Sequence, residues 1–182
     1  MIHKRALLLI LSLLTLTVLS STAQRSNASF PAVVDTHGAT LDIVQASHTQ
    51  PVIAIRFLGA ICSHCMQQIV EINTLATKFK ALNTRVIVFS EDPQAKCRET
   101  IAEYRLDTTL ITLCTDSASV CSKALGTTIS EPDGSITELH AFLVVDQGTV
   151  IFEKYTTSPM MALQAVIDLL ATLPRRNSRT AP

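Results

Sequence analysis

The stretch Pro51-Val52-Ile53-Ala54-Ile55-Arg56-Phe57-Leu58 is apolar at nearly every position, and it runs through Gly59-Ala60-Ile61 into Cys62-Ser63-His64-Cys65. An apolar run of this kind, bounded by Pro and Gly, predicts a central strand buried on both faces. The next segment predicts a helix: Cys65, Ile69, Ile72, Ala76, Phe79 and Leu82 come at three- and four-residue steps and form one apolar stripe. Arg85-Val86-Ile87-Val88-Phe89 is then a second strand. A strand, helix and strand at this spacing imply a parallel pair with a right-handed crossover, which commits the chain to an α/β architecture.

The same segment carries the chemistry. A thiolate is the reactive form of cysteine, and the unpaired N–H groups and positive dipole end of a helix N-terminus stabilise it. Cys62 precedes the apolar stripe and is expected to be exposed, the nucleophile; Cys65 lies on the stripe and is expected to face inward, the resolving thiol. A Cys-x-x-Cys serves as a redox pair, as half of a metal site or as a static disulfide, and no second such pair completes a four-thiolate zinc site. His64 stands between the sulfurs, where a protonated imidazole would stabilise the Cys62 thiolate; otherwise it simply faces solvent. Arg56 is a cation in an apolar strand, so it either pairs with a carboxylate or points to the Cys62 end of the sheet and favours the thiolate.

Elsewhere the chain reads as short alternating elements. Val33-Val34 and Thr40-Leu41-Asp42-Ile43 form a small N-terminal hairpin around Asp35-Thr36-His37-Gly38. Asp92-Pro93 opens a helix to about Arg105, Leu110 to Leu113 is a strand, and Asp116-Ser117 caps a short helix ending near Gly126. Residues 141–145 and 149–153 flank Asp146-Gln147-Gly148, a hairpin signal, and Met160 to Leu173 is a closing amphipathic helix. One domain over 30–173 results, preceded by a linker at 24–29 and followed by a disordered basic tail at 174–182. The cysteine count is five, which is odd, so at least one thiol is unpaired, shared or cycling. Cys114 and Cys121 bracket a turn and helix start, which suggests a local structural disulfide and leaves Cys97 as the odd thiol.

At 182 residues and 47% apolar, the chain fills a single core without cross-links. Lys+Arg and Asp+Glu are both 15, so no charge excess points to nucleic acid or to an anionic membrane. Lys4-Arg5, the apolar run Ala6 to Leu19 and Ser20-Ser21-Thr22-Ala23 have the pattern of a secretory signal peptide over 1–23, cleaved after Ala23. The run is shorter than the ~20 residues that span a bilayer, so no stable membrane span is expected after cleavage. The expected location is the periplasm or the extracellular space, with a membrane tether only if the leader is retained.

The order of elements, with Cys-x-x-Cys after the first buried strand, resembles the thioredoxin fold. Residues 57–68 (FLGAICSHCMQQ), 86–93 (VIVFSEDP) and 140–148 (HAFLVVDQG) make the chain similar to its redoxin branch, where AhpC/TSA peroxiredoxin-like and exported thiol-disulfide oxidoreductases meet. The resemblance implies a central mixed sheet flanked by helices. It also implies disulfide exchange with protein thiols through Cys62 and Cys65, a partner that recycles the pair, and no cofactor. Two departures stand out. In the peroxiredoxin motif Pro-x-x-x-Thr/Ser-x-x-Cys, counted back from Cys62, Gly59 takes the Thr/Ser place and an apolar residue the Pro place. His140 stands where thioredoxins carry a cis-Pro facing the active site, and Ile61 where they carry Trp. The alternatives are a peroxiredoxin-like antioxidant peroxidase using Cys62, and a Cu(I) metallochaperone using Cys62, Cys65 and His140.

Overall fold

The structure is a computed structural model that describes residues 26–27, 29–158 and 161–174. The expected signal peptide and the tail from 175 onward lie outside the described residues. In chain order the elements are β1 (Ser26–Asn27), β2 (Val33–Asp35), β3 (Thr40–Leu41), α1 (Ile43–Ser47), β4 (Val52–Arg56), α2 (Ser63–Thr74), α3 (Ala76–Ala81) and β5 (Arg85–Ser90). They continue with α4 (Gln94–Tyr104), β6 (Ile111–Thr115), a 3-10 turn (Ser117–Ser119), α5 (Val120–Ala124), β7 (Thr128–Ser130), β8 (Ile136–Glu138), β9 (His140–Asp146), β10 (Thr149–Thr156) and α6 (Leu163–Ala171).

Eight strands form one mixed sheet in the order β1-β10-β9-β4-β5-β6-β2-β3. β4, β5 and β6 run parallel, as the apolar runs and crossover spacing require, while β9 joins the other side of β4 antiparallel. β4 is buried at every position because helices cover both faces of the sheet. Alternation along β4 splits the interior in two. Ile53, Ile55 and Phe57 pack with Cys65, Ile69 and Ile72 of α2 and with Val166 and Leu170 of α6. Val52 and Ala54 pack on the opposite face with Ile43, Phe89, Cys121 and Leu143.

The structure refines the sequence reading in several places. Ile43, expected in the second strand of the hairpin, instead opens α1 behind its N-cap Asp42, whose side chain accepts the Gln45 N–H. The expected helix from Cys65 to Leu82 breaks at Leu75 into α2 and α3, although the apolar stripe carries across the break and buries Phe79. Ser26–Asn27, within the expected linker, pairs with β10 as an edge strand. Between α5 and β9 lies an unexpected two-stranded unit, β7 with β8, which feeds directly into His140.

Candidate active site

Cys62 is the N-cap of α2, in extended conformation, and its Sγ accepts the Cys65 N–H at 3.3 Å. The helix therefore begins at the sulfur, where its free N–H groups favour negative charge. Cys62 and Cys65 form a disulfide with a Cα separation of 5.2 Å. Their settings differ: Cys62 is half-buried, Cys65 is 1% exposed, and Ile61 beside them is 94% exposed.

The loop leading to Cys62 is clamped from the C-terminal end of β5. Gly59 adopts φ +93°, a left-handed conformation that L side chains rarely enter, and a Cβ there would lie 2.9 Å from Asp92 Oδ1. Asp92 Oδ2 accepts the Ala60 N–H at 2.7 Å. Where the peroxiredoxin motif counted from Cys62 asks for a hydroxyl-bearing residue, the space is filled by this carboxylate.

Across the sheet, β9 brings in His140, which is 5% exposed. Its Nε2 is 3.0 Å from Cys65 Sγ and 3.8 Å from Cys62 Sγ. Its Nδ1 lies 3.2 Å from the Thr156 carbonyl, an acceptor only, so Nδ1 carries the proton and Nε2 presents a lone pair to the sulfurs. Burial lowers the His140 pKa below 6.5, outweighing the Thr156 hydrogen bond, and nearby Arg56 pushes it the same way. The imidazole is thus a neutral base.

The two residues expected to tune the thiolate have different settings. His64 is exposed on the first turn of α2, and the ring nitrogen 3.0 Å from Cys65 Sγ is that of His140. Arg56, 2% exposed, is on the other side of β4 because side chains alternate along a strand. There it pairs with Glu138 at 3.2 Å and donates to Ser122 Oγ at 3.2 Å and to the Leu139 carbonyl at 3.0 Å. Ser122 Oγ in turn donates to Asp116 at 2.7 Å. Arg56 therefore holds the strand that delivers His140 and does not face Cys62.

The expected Cys114–Cys121 disulfide is a correction: both are free, as is Cys97. Cys114 on β6 and Cys121 on α5 are packed in the second core among apolar side chains, and burial pushes both thiols up to about 12. Cys97 is buried under the Asp92 loop, 3.8 Å from the Asp92 carbonyl, and its pKa is raised by burial and then by Asp92.

The donor atoms of Cys62, Cys65 and His140 lie within 4.8 Å of one another. With the disulfide closed the sulfurs are bonded to each other; opened, they and the imidazole form a soft set suited to Cu(I).

A thioredoxin-like sheet with a disulfide at the start of the first long helix defines a thiol-dependent redox protein. The family description Redoxin matches residues 25–167, and the chain belongs to that family. Similar solved structures include Peroxidoxin BcpB from Mycobacterium tuberculosis (TM-score 0.70, 16% identity, covering 83% of this chain and 97% of that one). Others are the bacterioferritin comigratory protein of Xanthomonas campestris (0.68, 12%, 79% and 95%) and Prx3 of Vibrio vulnificus, determined with hydrogen peroxide (0.68, 14%, 82% and 96%). At such identities the likeness speaks for the fold. A comparison with curated proteins finds no match.

Proposed function

We propose that this redoxin is a two-cysteine thiol redox enzyme whose turnover passes through the Cys62–Cys65 disulfide, with a hydroperoxide as its oxidant. The observation that carries the cycle is the disulfide at the N-terminus of α2 with His140 Nε2 3.0 Å from Cys65 Sγ. The likeness to solved structures titled as peroxidoxin, as an alkyl-peroxide-reducing protein and as a peroxiredoxin with hydrogen peroxide supports that substrate class. The Cys62 thiolate attacks one peroxide oxygen, the O–O bond breaks, and the leaving oxygen takes a proton, leaving a sulfenic acid. Cys65 gives its proton to His140 Nε2 and attacks the Cys62 sulfur. The expelled hydroxide recovers that proton as water, and the disulfide closes. An external dithiol then reduces the pair.

Direct exchange with protein thiols is the second reading, and a specific observation favours it. Gly59 and the Asp92 carboxylate stand where a hydroxyl would orient the peroxide, and exposed Ile61 offers a protein substrate an apolar contact. In this reading the Cys62–Cys65 pair is the oxidant of its partner's thiols. The Lys4–Ala23 leader pattern supports an exported enzyme that meets its recycling partner outside the cytosol. No helix among the described residues is long and apolar enough to cross a membrane.

Rapid mixing of the reduced protein with hydrogen peroxide, and separately of the oxidised protein with a reduced peptide thiol, separates the readings. Sulfenic acid trapped at Cys62 in a Cys65→Ser variant, with peroxide consumed faster than by free cysteine, supports the peroxidase. Slow peroxide reaction with fast mixed-disulfide formation at Cys62 leaves exchange.

A further inference from the structure

Gln68 lies three residues after Cys65, on the same face of α2, and is 1% exposed. Its Oε1 accepts the Met161 N–H, which ties α2 to the segment ahead of α6 and fixes which end of the amide is which. The other end, Nε2, meets no hydrogen-bond partner among the described residues. Native proteins rarely leave a buried donor unmade. Gln68 also lines a small cavity with Cys65, His140, Thr156, Ile55 and Phe142, about the size of one water molecule.

The donor matters when the disulfide opens. A reductant thiolate attacks Cys62 Sγ, the bond to Cys65 breaks, and the electron pair leaves on Cys65. That anion forms at a site 1% exposed, among apolar side chains. A buried charge without hydrogen bonds is costly. Neutral His140 turns a lone pair toward it and stabilises it only after gaining a proton, whereas the Gln68 amide carries hydrogens at all times.

We propose that the cavity is a subsite for one water molecule, held by Gln68 Nε2 and donating to the Cys65 sulfur, so that Gln68 acts as a positioning residue for the Cys65 thiolate. This rests on the reading of Cys62 and Cys65 as the redox pair. The water accepts from Nε2 and turns its own hydrogens to the sulfur, and Thr156 completes its polar surroundings. Gln68 thereby has two separable roles: Oε1 is structural and Nε2 serves the chemistry.

The test uses Gln68→Met and Gln68→Leu, neither of which has a donor or a charge. The Cys65 thiol pKa is read by thiolate absorbance in a Cys62→Ser background, and the potential of the Cys62–Cys65 couple in the otherwise unsubstituted chain. The expected result in both variants is a rise of about one unit or more in the Cys65 pKa, roughly ten-fold less thiolate at a fixed pH below it. The couple also shifts to a more negative potential, because the reduced state has lost a stabilising contact. A purely structural Gln68 would lower the melting temperature and move neither. An unchanged pKa and potential in folded Gln68→Met overturns the proposal; if that variant does not fold, the same result in Gln68→Leu does. Failure of the unsubstituted pair to cycle at all is a different outcome, which removes the redox reading itself.

Discussion

His140 Nε2 stands 3.0 Å from the Cys65 sulfur while the Thr156 carbonyl holds its Nδ1 at 3.2 Å, so one backbone oxygen decides which ring nitrogen meets the redox pair. This arrangement sets a pH dependence. The His140 pKa lies below 6.5, chiefly through burial, so above pH 6.5 the ring is neutral and able to take the Cys65 proton. As pH falls through the lowered value the base is lost, and closure of the disulfide slows. The fold also disfavours the protonated ring, so this group's contribution to stability is fully present above 6.5 and is lost over the same acid range. In His140→Ala, closure measured by rapid alkylation should be about 10²-fold slower and lack the acid limb. An unchanged limb would assign it to another group.

Removing either end of the Arg56–Glu138 pair should have unequal effects. Arg56 is 2% exposed and holds Ser122 and the Leu139 carbonyl as well, whereas the Glu138 side chain is 40% exposed. Arg56→Met should cost about 3 kcal/mol in urea unfolding, near the lower end for breaking a buried pair. Glu138→Gln should cost less than about 1 kcal/mol, as for a solvated partner. Equal losses would mean that the ion pair, and not the buried guanidinium network, holds the strand of His140.

A thiol count under denaturing conditions, without reductant, should find three free cysteines: Cys97, Cys114 and Cys121. Under native conditions at pH 8, Cys114 and Cys121 should resist alkylation, because both pKa values are pushed up to about 12 by burial. A count of one would restore the Cys114–Cys121 bridge.

Gly59→Ala meets two obstacles, the left-handed φ of +93° and the Asp92 carboxylate 2.9 Å from the new Cβ. A loss of about 1–3 kcal/mol is expected, with altered reduction kinetics as the Cys62 loop shifts. Asp92→Ser should recover part of the loss by opening space while keeping an oxygen for the Ala60 N–H. Strictly additive losses in a double-mutant cycle would show that the two residues do not meet.

The crossover and the position of the site were legible in the residues because both rest on period: the apolar run of β4, the stripe from Cys65 to Phe79 and the Cys-x-x-Cys at their junction. The partners of the site were harder to read because they come from distant segments whose burial has no local signature. Glu138, the partner of Arg56, sits on β8, where Ile136 and Glu138 are exposed and no apolar alternation marks a strand; the turn signal Pro132-Asp133-Gly134 was the available clue. His140 entered only through resemblance. Gln68 was missed, although a polar residue three positions after Cys65 on the apolar face was the signal. Cys114 and Cys121 are close in sequence, yet they belong to a strand and a helix, and that difference in setting cannot be read from spacing.

Reversible cycling of Cys62 with Cys65 underlies the proposed chemistry, and a glutathione redox titration of the metal-free protein probes it without intermediaries. Thiols are alkylated at each potential and located by mass spectrometry. One two-electron transition is expected, in which Cys62 and Cys65 gain and lose the label together within roughly −270 to −120 mV, while Cys114 and Cys121 stay unlabelled in the folded protein. A pair that remains oxidised across the whole range, or cysteines that take the label one at a time, would refute the redox cycle.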